Sequence, residues 1–148
     1  MNVNKIMTDI LKDIKNKKTV THRYAVDDKY FYFTPDGNRA YKIPVEDFLI
    51  DYKKAWPNME PMKGLINFFK DIDSVVAYKT NEIRRLEKFN VVKIANDKTY
   101  AWINENYLKE FDKDCFYHIA GPKAPVFIEE LGEIVGLILP VKVEVDND

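Results

Sequence analysis

Ile6, Met7, Ile10, Leu11 and Ile14 recur at the helical period, and Asn2 or Asn4 precedes them as a cap, so the spacing predicts an amphipathic helix over residues 4–17. On its opposite face Lys5, Thr8, Lys12 and Lys15 form a stripe flanked by Asp9 and Asp13. From Thr19 the period shortens to two. Residues 20–26, 30–34 and 39–43 are rich in aromatic and β-branched side chains. Asp27-Asp28 and the run Pro35, Asp36, Gly37, Asn38 punctuate them, which predicts a three-stranded antiparallel meander. Pro44 suits the first turn of a second helix, along which Val45, Phe48, Leu49, Tyr52, Ala55 and Trp56 recur until Pro57 ends it. Residues 57–63 are Pro-dense, and Leu65, Ile66, Phe68 and Phe69 after them fit a short helix or a buried turn. Two readings stand for residues 75–90: residues 75–79 look like a strand, whereas Ile83, Leu86 and Phe89 suit a helix beginning after Thr80 or Asn81.

The last third is more regular. Residues 91–95 and 99–103 read as a hairpin across Asn96, Asp97 and Lys98, followed by a short helix over 104–113 with Tyr107, Leu108 and Phe111 inward. Three more strands are predicted over 115–120, 126–130 and 134–143, and residues 144–148 form an acidic tail. A helix followed by three strands therefore occurs at 4–43 and again at 104–143. The expected fold is a single α+β domain spanning residues 1–148, with 44–73 as a helical insertion and the helices on one face of an antiparallel sheet.

Composition narrows the function more than the fold. The chain has 148 residues, with 23 Lys+Arg against 24 Asp+Glu, so a formal charge of -1 gives no bulk attraction to a polyanion. Its 46% hydrophobic content exceeds what a disordered segment carries. Cys115 is the single cysteine, which rules out an internal disulfide and fits a reducing, cytoplasmic setting. No apolar run approaches the ~20 residues of a membrane span, and the first fifteen residues lack a secretory pattern, so no membrane partner is expected. Candidates for chemistry are few. Cys115 and His118 stand three residues apart on a predicted strand and so face opposite ways, which separates nucleophile from base. His22, beside Arg23, reads as a surface strand residue. The Asp and Asn residues at 27–28 and 36–38 sit where turns favour them, and no calcium loop or phosphate-cradling Gly-rich loop is present. No catalytic residue, metal or cofactor is predicted. Tyr30, Phe31, Tyr32 and Phe33 are the densest aromatic cluster, but no Lys or Arg is interleaved, so sheet packing is preferred to a base-stacking platform.

Residues 99–111, Thr-Tyr-Ala-Trp-Ile-Asn-Glu-Asn-Tyr-Leu-Lys-Glu-Phe, carry an Asn-x-x-Tyr-Leu arrangement at Asn104, Tyr107 and Leu108. With the loop and strand at 121–130 and the closing segment Leu137-Ile-Leu-Pro-Val-Lys-Val143, they resemble the last domain of the bacterial DNA sliding clamp, the beta subunit of DNA polymerase III. The likeness spans about residues 91–143; Leu139 stands where that family has Met and Lys142 where it has Arg, and the chain has length for one of the family's three domains. The resemblance implies a clamp-like, processivity-fold domain whose helices present Lys5, Lys12, Lys15, Lys109 and Lys113 to duplex DNA, the last two at i, i+4. It also implies a peptide-binding pocket, for short linear peptides of replication or repair proteins, at Pro125, Leu137, Ile138, Leu139, Pro140, Val141, Lys142 and Val143. The expectation is a non-enzymatic DNA-replication accessory protein of a phage or mobile element, holding DNA or replication proteins as a homo-oligomer, since one domain cannot encircle a duplex. The alternative is a monomeric adaptor or clamp mimic that binds a protein partner; residues 123–148 hold two Lys against six acids, which favours a protein over a polyanion. A small-molecule enzyme using His118 or Cys115 is the third reading, and no cluster of His, Cys and carboxylates supports it.

Overall fold

The computed structural model describes residues 1–144; the rest of the predicted acidic tail, 145–148, lies outside the described residues. The first helix, α1 (Val3–Lys15), begins where Asn2 Oδ1 accepts the Lys5 N–H at 3.0 Å, and it buries Ile6, Met7 and Ile10. The strands β1 (Arg23–Val26), β2 (Tyr30–Thr34) and β3 (Arg39–Pro44) form the predicted meander, although β1 starts three residues later than the pattern suggests. The single helix expected over 45–56 does not form. A 3-10 turn at Val45–Asp47 gives way to an extended Phe48 (φ -93°, ψ 98°), whose ring stacks on Phe31 with centroids 3.8 Å apart. Burying Phe48 this way turns Leu49 into solvent and breaks the helical period. Asp51 then restarts it, its carboxylate accepting the N–H groups of Lys53 (3.1 Å) and Lys54 (3.4 Å) at the head of α2 (Tyr52–Ala55). A further short helix, α3 (Gly64–Asn67), takes the first of the two readings of its segment.

The strand β4 (Val75–Arg85) decides the other ambiguous segment, and the helical reading after Thr80 is overturned. Its pairing with β5 (Asn90–Ala95) is interrupted between Lys79 and Ile83. There the Thr80 hydroxyl donates to the Lys93 carbonyl at 2.8 Å and accepts the Glu82 N–H at 3.1 Å, so a side chain replaces lost ladder bonds. After β6 (Tyr100–Asn104) the helix predicted over 104–113 contracts to a 3-10 segment, Glu105–Glu110, capped by Asn104 and ended by an extended Phe111. The strands β7 (Phe116–Ile119), β8 (Val126–Glu130) and β9 (Glu133–Ile138) complete the chain. The last is shorter than the predicted 134–143 because Pro140 has no N–H to continue a ladder.

All nine strands belong to one antiparallel sheet in the order β1-β2-β3-β9-β8-β7-β4-β5-β6. Three consecutive meanders are thus laid side by side, the first joined to the third along β3 and β9, and the third to the second along β7 and β4. The main core collects Ile6 and Ile10 of α1 with inward residues of every meander, and Tyr107 and Leu108 of the 3-10 segment pack against it on the same face. A second cluster on the other face places Leu65 and Phe69 over Tyr32, Phe127 and Leu137. Helical elements therefore cover both faces, against the expectation of one; α3 is the reason. Tyr32 is buried beneath Phe69, their ring centroids 5.4 Å apart, so the aromatic run of β2 is packing.

Both outer strands are capped by a proline-bearing segment that spends one N–H on them. Met62 N–H donates to the Tyr24 carbonyl of β1 at 2.7 Å, and Val141 N–H donates to the Trp102 carbonyl of β6 at 2.7 Å. A flanking Pro61 or Pro140 prevents either segment from extending into a full strand, which blunts both edges. The second cap also brings the chain leaving β9 back to β6, curling the far half of the sheet around the main core.

Candidate functional site

Beyond β9, Leu139 N–H donates to the Asn38 carbonyl at 2.8 Å, Val141 is held on β6, and Arg84 Nη1 donates to the Glu144 carbonyl at 3.1 Å. These contacts fix residues 139–144 across the end of the sheet. Between this strap and β6 lies a groove of about 630 Å³, walled by Tyr100 and Trp102, by Pro122 and Lys123 of the β7–β8 loop, and by residues 139–143. Cations gather over its aromatic wall. The Arg84 guanidinium lies 5.2 Å from the Trp102 ring centroid, and Lys93 Nζ lies 4.9 Å from that of Tyr100 and 6.0 Å from that of Trp102. Lys93 is also 3.5 Å from a Glu82 carboxylate oxygen. Lys123 and Lys142 are the charged side chains in the lining; both are exposed, and neither has an ion-pair partner among the described residues.

Of the eight residues proposed for a peptide pocket, the groove brings together Leu139, Pro140, Val141, Lys142 and Val143. Leu137 and Ile138 are buried instead, one in each hydrophobic cluster, and Pro125 is half-buried outside the lining. Sequence reading missed Tyr100, Trp102, Pro122 and Lys123. The i, i+2 spacing of the two aromatics places them on one face of β6, but nothing local announces that residues 139–143 come to lie beside them.

The lysines proposed to face DNA do not form one set. Lys5 is held by Asp9 at 2.8 Å and lies 3.8 Å from the buried Glu110. Lys12 and Lys15 project from the exposed side of α1. Lys109 and Lys113 lose their i, i+4 relation because the 3-10 segment stops at Glu110. Glu110 is itself tied to structure: Arg39 Nε is 3.3 Å from its carboxylate, and the Tyr41 hydroxyl donates to the same oxygen. Burial and the neighbouring carboxylate push the Tyr41 phenol far above its ordinary range.

The histidines and the cysteine also separate. His22, expected at the surface, is buried: Nδ1 accepts the Trp56 indole N–H at 3.2 Å and Nε2 meets Asp13 Oδ2 at 2.9 Å, joining α1, the approach to β1 and the end of α2. Its ring stands edge-on to Phe33. His118 Nε2 pairs with Glu129 at 3.2 Å, while Cys115 packs against the main core, where burial pushes its thiol up and away from the reactive thiolate. No group of three or more His, Cys, Asp or Glu suited to a metal occurs among the described residues, and no helix among them is long and apolar enough to cross a membrane.

A second hollow of about 610 Å³ separates α1 from residues 49–55; Met7, Leu11, Ile14 and Leu49 wall it, with Asp51 and Lys54 of opposite sign and no aromatic ring. Of the two hollows, the groove beside β6 combines aromatic, apolar and single-sign charged walls. No family model, no curated protein and no solved structure matches this chain.

Proposed function

We propose that the protein is a non-catalytic adaptor that docks a short linear segment of a replication or repair protein in the groove between β6 and residues 139–143. The observation that carries this is the meeting of Leu139, Val141 and Val143 with Tyr100 and Trp102 around a channel of about 630 Å³, a concave apolar surface with a cationic rim. Tyr100 and the alternating apolar residues of a proline-interrupted segment offer an extended peptide pockets for alternate side chains, with the covered Trp102 as their floor. The clamp-like reading of the fold draws support from the sheet order, in which the first and last meanders join along β3 and β9 with α1 and the 3-10 segment on one face. Encirclement of duplex DNA draws less, because Lys5 is ion-paired and Lys109 and Lys113 do not share one helix.

A random library of displayed peptides panned against the full chain tests this reading. Peptides enriched on the native protein and lost on Leu139→Asp, with an unchanged circular dichroism spectrum, are the expected result. Enrichment that survives Leu139→Asp and Val143→Asp places any binding elsewhere and removes the proposal.

A further inference from the structure

Resting on the docking of a peptide in this groove, we infer that the segment it takes is acidic as well as apolar, with carboxylates met by Lys123 and Lys142. Two lysines from different parts of the chain, the β7–β8 loop and the closing segment, converge on one channel whose lining holds no acid. Both are exposed and lack an ion-pair partner among the described residues, in contrast to Lys5, which is held by Asp9, and Arg39, which is held by Asp36. Behind them Arg84 and Lys93 lie over the aromatic wall, Lys93 beside Glu82 at 3.5 Å, so the charge lining the channel itself is that of the two lysines although the whole chain carries -1. An apolar segment without charge would leave these lysines unmatched, and a basic one would be repelled.

A phosphate-bearing strand is the competing polyanion, and the aromatic wall disfavours it. Trp102 is only 5% exposed, covered among Arg84, Lys93 and the strap, so it offers no free face on which a base can stack. The remaining wall combines one half-buried ring, Tyr100, with the aliphatic side chains of Leu139, Val141 and Val143, which suits the apolar side chains of a peptide better than a run of stacked bases. Carboxylates alternating with apolar residues satisfy both the rim and the wall.

The test uses two displayed libraries that share their apolar positions, one with Asp and Glu at the remaining positions and the other with Asn and Gln, together with a labelled oligothymidylate. At low salt the acidic library is expected to be enriched about tenfold over its amide twin, the factor that two rim ion pairs supply. The preference should shrink as salt rises. Lys123→Glu with Lys142→Glu should abolish or invert the preference, while Leu139→Asp should lose both libraries. Equal enrichment of the two libraries, still dependent on Leu139, overturns the acidic assignment and leaves the docking reading standing. Enrichment of neither overturns both. Oligothymidylate that binds through Lys123 and Lys142 and displaces the acidic library replaces the peptide with a nucleic acid and likewise overturns the inference.

Discussion

At Gly136 a methyl group has nowhere to go: a Cβ built there would lie 2.5 Å from the Phe111 ring and 3.1 Å from the Ala40 carbonyl oxygen. Phe111 is itself buried against Tyr41, so the ring cannot swing away freely. Gly136→Ala should therefore cost about 1–3 kcal/mol in chemical denaturation, the range of overpacked cores. Leu131 is the opposite case. With Gly132 it forms the two-residue turn between β8 and β9, both at positive φ (52° and 82°), and its side chain is fully in solvent. Leu131→Asn should raise stability by about 0.5–1 kcal/mol, because Asn tolerates the left-handed region that a branched apolar chain resists. Asp27 sets a pH dependence. Burial raises its pKa, but the N–H groups of Tyr30 (2.7 Å) and Lys29 (2.9 Å) and the Tyr32 hydroxyl (3.0 Å) all donate to the carboxylate, and the balance lies below the ordinary aspartate value. A depressed folded pKa means the contribution is present above the unfolded value and is lost as pH falls through the folded one. Asp27→Asn should accordingly lower stability at neutral pH and flatten the acid limb of the stability curve measured by urea titration.

Elements here are short and held by side chains that bind backbone or one another. The α2 segment has four residues, too few to persist alone, and is anchored at its start by Asp51 and at its end by the Trp56–His22–Asp13 chain. Trp56→Phe keeps the ring stacking with Tyr24 and Phe33 but leaves His22 Nδ1 buried without its donor. It should cost about 1–3 kcal/mol, and amide exchange should rise first in residues 51–56. The misread helices share one cause. Residues 45–56 and 104–113 contain helical spacings of apolar residues, yet a sheet face beneath each captures one of them, Phe48 onto Phe31 and Phe111 onto Tyr41. Packing of one large ring outweighs the few tenths of a kcal/mol per residue that propensity contributes.

For the whole molecule, an adaptor reading carries an expectation of size. Each outer strand is met from within the chain by one backbone bond, from Met62 to β1 and from Val141 to β6, which hinders pairing of either edge with a second copy. Light scattering coupled to gel filtration should give the monomer mass across a concentration series, with or without circular duplex DNA. A closed ring of copies would instead favour encirclement and restore Lys12, Lys15 and their neighbours as duplex contacts.

Period and punctuation in the sequence determined α1, the first meander, the β5–β6 hairpin and the existence of β7, β8 and β9, because each of these records burial of one face against a local neighbour. The end of β9 is missed, since the apolar run 134–143 reads as one strand although Pro140 lacks the N–H to continue a ladder. Only tertiary structure decided the rest. The extension of β4 through residues 80–85 needs β5 to hold it, as Ile83 and its neighbours are exposed and carry little pattern of their own. The buried place of His22 depends on Trp56, thirty-four residues away in the chain. The groove depends on a backbone bond from Val141 to Trp102 and on a lysine from a separate loop. Such meetings are set by the order of strands in the sheet, and strand order is a long-range property that no local period encodes.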